Sequence, residues 1–130
     1  MKKIASLIIS FLFVLTLAAQ AEELSQVRSF HSATTGRGAG TSPIFMKFEE
    51  QRLRGVEARP VFLRCLQKGT PAARLYGAWG LYELNKEEGL AALRTLLEDE
   101  ESVPFMKGCL LGDSTVGAEA ESLLENFTKR

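Results

Sequence analysis

The chain has little of what most catalytic chemistry needs. Its 130 residues include one histidine, His31, and two cysteines, Cys65 and Cys109. No second histidine and no cysteine stands at metal-ligand spacing from His31, so neither a zinc site nor a Ser-His-Asp triad is supported. A catalytic Cys-His pair would require His31, which lies in a polar, glycine-dense stretch, to fold back onto the core. Acidic groups do cluster, at Glu49-Glu50 and Asp99-Glu100-Glu101, but charge runs at helix ends are ordinarily solvated, and nothing raises one carboxylate above another. No catalytic, metal-binding or cofactor-binding residue is assigned, and the reading leans away from an enzyme. Charge of one sign is also lacking: 16 Lys and Arg face 16 Asp and Glu. Nucleic acid or an anionic membrane surface would favour a basic excess, so neither is expected as partner.

What is present begins with an export signature. Lys2 and Lys3 precede an apolar run over Ile4 to Ala18, and Ala19-Gln20-Ala21 supplies a small-x-small cleavage pattern. The run is shorter than the roughly 20 residues a bilayer core requires, and no basic stop-transfer cluster comes after it. Residues 1–21 are therefore expected to be a cleavable Sec-type signal peptide. The mature chain would start near Glu22 in the periplasm or outside the cell, with no membrane span left. Loss of two lysines leaves 14 basic residues against 16 acidic ones, a net charge of −2. The remaining 109 residues suffice for one domain with a real core.

Residues 22–42 differ in texture from the rest of the mature chain. Leu24, Val27 and Phe30 are the only sizeable apolar groups in a segment rich in Ser, Thr and Gly, too few to offset the entropy of ordering it. A flexible leader is expected there. Gly36, Gly38 and Gly40 alternate with other residues, no Gly-Lys-Ser/Thr comes after them and no strand is expected before them, so a linker is favoured over a phosphate-cradling loop.

From Pro43 the helical period takes over, so residues 43–130 read as a helical domain. Ile44, Phe45, Met46, Phe48 and Leu53 mark a helix over Pro43 to Leu53. Ala58, Phe62, Cys65 and Leu66 mark a second that Gly69 should end. Thr70-Pro71 is an N-cap with proline at the first helical position, opening a helix to Leu84 that is apolar on most sides and must be covered on most sides. Gly77 and Gly80 cost about 1 kcal/mol each there, which close approach of a neighbouring backbone would return. Asn85 with Glu88 resembles a capping box ahead of Leu90, Leu93, Leu96 and Leu97. Val116, Ala120, Leu123, Leu124 and Phe127 give the last helix, with candidate caps at Asp113 to Thr115. Between these two helices, Pro104, Gly108 and Gly112 exclude a regular helix over 102–112, so an irregular or short-strand segment is expected.

The chain also repeats itself. Shifted by 30 residues, Val56 to Leu66 overlies Lys86 to Leu96, and Glu57, Leu63, Arg64 and Leu66 recur as Glu87, Leu93, Arg94 and Leu96. Each copy is a helix ending in a turn, and Thr70-Pro71-Ala72-Ala73-Arg74 then opens a partner helix. The pattern resembles the short HEAT-type repeat, about one and a half repeats over Gly55 to Val103, and does not continue beyond Glu101. That resemblance implies an all-α domain of antiparallel helix hairpins acting as a protein-binding scaffold more often than an enzyme.

Arg74, Tyr76 and Trp79 are the candidate partner-binding residues, although an aromatic stripe of Tyr76, Trp79 and Tyr82 at helical spacing is more often core than ligand surface. Export to an oxidising compartment favours a disulfide between Cys65 and Cys109, while the core-facing position of Cys65 favours a buried thiol; the sequence leaves both open. The function expected is binding of another protein or envelope component. The alternatives are a small secreted enzyme or inhibitor using the 102–114 segment, and self-assembly into a homo-oligomer.

Overall fold

A computed structural model describes residues 23–35 and 40–129; the expected signal peptide, and Gly36 and Gly38 of the alternating glycines, lie outside them. Beyond a helical turn at residues 23–25, the described chain forms β1 (Phe30–Thr35), β2 (Gly40–Thr41), α1 (Pro43–Leu53), a 3-10 turn (Gly55–Ala58), α2 (Arg59–Lys68), α3 (Pro71–Leu84), α4 (Lys86–Leu96), β3 (Ser102–Gly108), β4 (Leu110–Thr115) and α5 (Val116–Thr128). Among the described residues no helix is long and apolar enough to cross a membrane.

Four of the five helix starts have a side-chain cap encoded in the sequence. The hydroxyls of Ser42, Thr70 and Thr115 accept from the N–H groups of Phe45, Ala73 and Ala118, and the Asn85 carbonyl oxygen accepts from Glu88 N–H. The capping box at Asn85 is one-sided, because the Glu88 carboxylate pairs with Arg59 of α2 instead. α3 is the central helix, with Ala72, Ala73, Leu75, Tyr76, Ala78 and Leu81 all buried. It packs against both α2 and α4. At Gly77 a Cβ would lie 2.6 Å from the Phe62 carbonyl oxygen and 2.8 Å from Leu66 N, which is the close backbone approach that a glycine permits.

The all-α expectation is corrected by a four-stranded sheet of order β2-β1-β3-β4. β1 runs parallel to β3, with Phe30 opposite Phe105 and His31 opposite Met106, and the pairing shifts before Thr35 meets Gly108. β3 and β4 form an antiparallel hairpin in continuous register from Ser102–Thr115 to Lys107–Leu110. Gly108, at φ +60°, occupies the first central position of the two-residue turn, where a left-handed conformation fits the twist of the strands. Pro104 stands opposite Asp113, at a position where the hairpin ladder needs no β3 N–H.

Half of this sheet comes from the stretch expected as a flexible leader. Leu24, Val27 and Phe30 are all buried in the core, Thr70 N–H donates to the Ser25 carbonyl at 2.9 Å, and the Thr70 hydroxyl donates to the Val27 carbonyl. What orders the segment is a set of distant partners, Thr70, Tyr76 and β3, which local composition does not reveal.

Candidate functional site

His31 lies where the sheet meets the helical layer. In a strand successive side chains alternate between faces, so Phe30, Val103 and Phe105 face the helices, while His31, Pro104, Met106, Leu111 and Asp113 face outward. The backbone of His31 is held by Tyr76: its N–H donates to the Tyr76 hydroxyl at 2.8 Å, and that hydroxyl donates to the His31 carbonyl at 3.0 Å. The imidazole is held by two serines, with Nε2 at 2.6 Å from Ser29 Oγ and Nδ1 at 2.7 Å from Ser42 Oγ, the same hydroxyl that caps α1. Burial lowers the pKa of this imidazole from its ordinary value, which favours the neutral ring.

On the outer face an open groove of about 530 Å³ runs past Ser29 and His31 along Pro104, Met106, Leu111 and Asp113. β4 borders it as the last strand of the sheet, with Leu110 and Leu111 largely exposed. The Lys107–Leu110 pair closes a two-residue turn, so Leu110, Gly112 and Ser114 turn their backbone polar groups toward β3. Leu111 and Asp113 turn theirs outward, with no strand beside them among the described residues.

On the inner side, between the sheet and α5, lies a cavity of about 250 Å³. Its apolar wall is Phe30, Trp79 and Leu123, and its polar lining comes from His31 and Ser32 of β1, Lys107 of β3, and Glu119, Ser122 and Asn126 of α5. The Lys107 ammonium reaches the Glu119 carboxylate at 2.6 Å and also lies over the Phe105 ring, 5.1 Å from its centre. The Glu119 side chain is only 7% exposed, against 38% for Lys107. Ser122 and Asn126 form no side-chain hydrogen bond within the described protein. Sequence reasoning missed these α5 groups; their signal is the i, i+3, i+7 spacing of Glu119, Ser122 and Asn126 along one helical stripe beside the apolar one.

Of the partner-binding candidates, Tyr76 is corrected outright: it is fully buried, its ring centre lies 5.2 Å from that of Phe48, and burial raises its phenol pKa, so it is core and has no free surface to offer. Trp79 is half-buried at the centre of an aromatic cluster with Phe30, Phe45, Phe48 and Phe127, its indole N–H donating to Glu83 at 3.2 Å, and one part of its ring reaches the inner cavity. Arg74 is engaged within the fold, with its guanidinium on Asp99 at 2.8 Å, on Glu101 at 3.0 Å and on the Gly69 carbonyl at 3.2 Å. Burial works against its charge, but the two carboxylates outweigh burial and raise its pKa.

Cys65 and Cys109 are both free thiols: Cys65 is buried on α2, while Cys109 is exposed at the tip of the β3–β4 turn. Among the described residues no group of three or more His, Cys, Asp or Glu side chains is placed to hold a metal ion. Comparison with known proteins finds no matching family model, no matching curated protein and no matching solved structure.

Proposed function

We propose that this chain is an exported binding module that takes up an extended segment of a partner protein as a fifth strand along β4. One observation carries the reading: β4 is an edge strand with outward backbone groups at Leu111 and Asp113, beside a groove whose outer-face side chains include Met106 and Leu111. Strand addition to an open edge draws its affinity from main-chain hydrogen bonds and its specificity from pockets for alternate side chains. An edge of this kind is otherwise a liability that proteins blunt with charge, bulges or cover, and here a single carboxylate, Asp113, interrupts it. The near-neutral charge of the chain suits such a contact better than one steered by long-range electrostatics.

The test compares capture from the protein's own cell envelope by the wild-type chain and by Asp113→Pro, which removes one outward donor without touching the β3–β4 ladder. A stoichiometric partner held by the wild type and released by the variant, with unchanged thermal stability, supports the reading. A partner held equally by both, or none, overturns it, and light scattering shows whether the captured partner is a second copy of the chain.

A second reading, a small enzyme working from the 102–114 segment, is favoured by Ser29 and His31 at the wall of the same groove. When Nδ1–H donates to Ser42, Nε2 accepts the Ser29 hydroxyl proton at 2.6 Å, the pairing an activated serine needs. Labelling of Ser29 by a fluorophosphonate, abolished in His31→Ala, is the outcome that supports it; an unlabelled Ser29 removes it.

A further inference from the structure

We infer that the inner cavity between the sheet and α5 binds a free α-amino acid with an apolar side chain. Burying an ion pair is a poor way to gain stability, because desolvation of the two charges offsets much of their attraction. Glu119 is nonetheless almost wholly buried beside an open cavity, paired among the described residues with Lys107 from the end of β3. The pair makes the polar wall neutral overall but strongly dipolar. A neutral wall gives no advantage to a simple anion or cation. It complements a ligand that is itself neutral with separated charges, its carboxylate on the ammonium of Lys107 and its ammonium on the carboxylate of Glu119.

The remaining features fit the same ligand. Lys107 has three N–H donors, and Glu119 takes one. Ser122 and Asn126, one and two turns along α5, add a hydroxyl and an amide that no other described residue engages, so both charged ends of the ligand find a second partner. Opposite them Phe30, Trp79 and Leu123 offer apolar surface and no charge. The size sets the upper limit: about 250 Å³ falls below the roughly 300–1,000 Å³ that enclose drug-sized ligands. A single amino acid is the scale that fits.

The test is titration of the full chain with L-leucine and L-phenylalanine, and with their N-acetyl and amide derivatives, followed by calorimetry and by the Trp79 indole N–H resonance. Saturable one-to-one binding that moves the indole signal is expected, weakened about tenfold or more when either end of the amino acid is blocked, the loss due to one charge-assisted hydrogen bond. Lys107→Met should weaken binding by a similar factor; Lys107 is half-exposed, so this variant remains informative where Glu119→Gln fails to fold. Leu53→Ser, exposed at the end of α1 and outside the cavity lining, should bind as the wild type does. No saturation at millimolar amino acid, equal binding of the blocked forms, or undiminished binding by Lys107→Met would each overturn the assignment. None of these readouts involves β4.

Discussion

The Tyr76 hydroxyl occupies the place of a strand beside His31. It accepts the His31 N–H and donates to the His31 carbonyl, so one phenol from the central helix satisfies both backbone groups on the open side of β1, at a point that β2, paired only at Thr34 and Thr35, does not reach. Tyr76→Phe keeps the ring and its packing but orphans both groups. A buried unsatisfied group costs about 1–3 kcal/mol, so the variant should unfold at lower denaturant with an unchanged slope, and the His31 amide should exchange faster. An unchanged midpoint would mean that water replaces the hydroxyl without loss.

How much of this was legible in the sequence depends on how far away each cause lies. The helices were legible because their causes are local: Thr70-Pro71, Asn85 and the apolar stripe of Val116 to Phe127 act within a turn or two, and α1 to α5 form where they point. β1 was not, because Phe30 to Thr35 becomes a strand through pairing with Phe105 and Met106, at the other end of the chain, and through Tyr76. The same distance hid the candidate sites. His31 looks solitary in sequence, yet Ser29 and Ser42 flank it in space, and Lys107 meets Glu119 only when the hairpin folds under α5.

Helix propensity and packing make opposite predictions at Gly77. Alanine gains about 1 kcal/mol over glycine in an exposed helix interior. Here the added methyl would lie 2.6 Å from the Phe62 carbonyl oxygen and 2.8 Å from Leu66 N, both backbone atoms of α2 that move only with their helix. Overpacking of this kind costs about 1–3 kcal/mol, so Gly77→Ala should be destabilising in urea titration. A gain in stability would show that α2 and α3 separate easily.

The thiols should separate by kinetics. Cys65 is buried, and desolvation pushes its thiol up to about 12, so almost no thiolate forms at neutral pH; Cys109 is exposed at a turn. Reaction with a thiol reagent should be fast at one site in native protein and reach two only after unfolding without reductant. Zero thiols after unfolding would reveal a bridge that requires Cys109 to leave the hairpin tip. Mass mapping of the first adduct should place it on Cys109.

His31 supplies the pH dependence, and burial sets its sign. Desolvation lowers the folded-state pKa from the ordinary 6.5, so below that value the unfolded chain binds the proton first. Stability is then fully present above pH 6.5 and declines as the pH falls from there through the lower folded-state value. Protonation also makes both ring nitrogens donors, which leaves Ser29 and Ser42 to act as acceptors only, and Ser42 already accepts from Phe45 N–H. His31→Gln has no such titration, so the stability difference between wild type and variant should shrink between neutral pH and pH values below 6.5, where carboxylates shared by both proteins cancel. Urea midpoints of the two proteins that fall in parallel on acidification would place the pH sensitivity in those carboxylates and leave the Ser29–His31–Ser42 network intact on protonation.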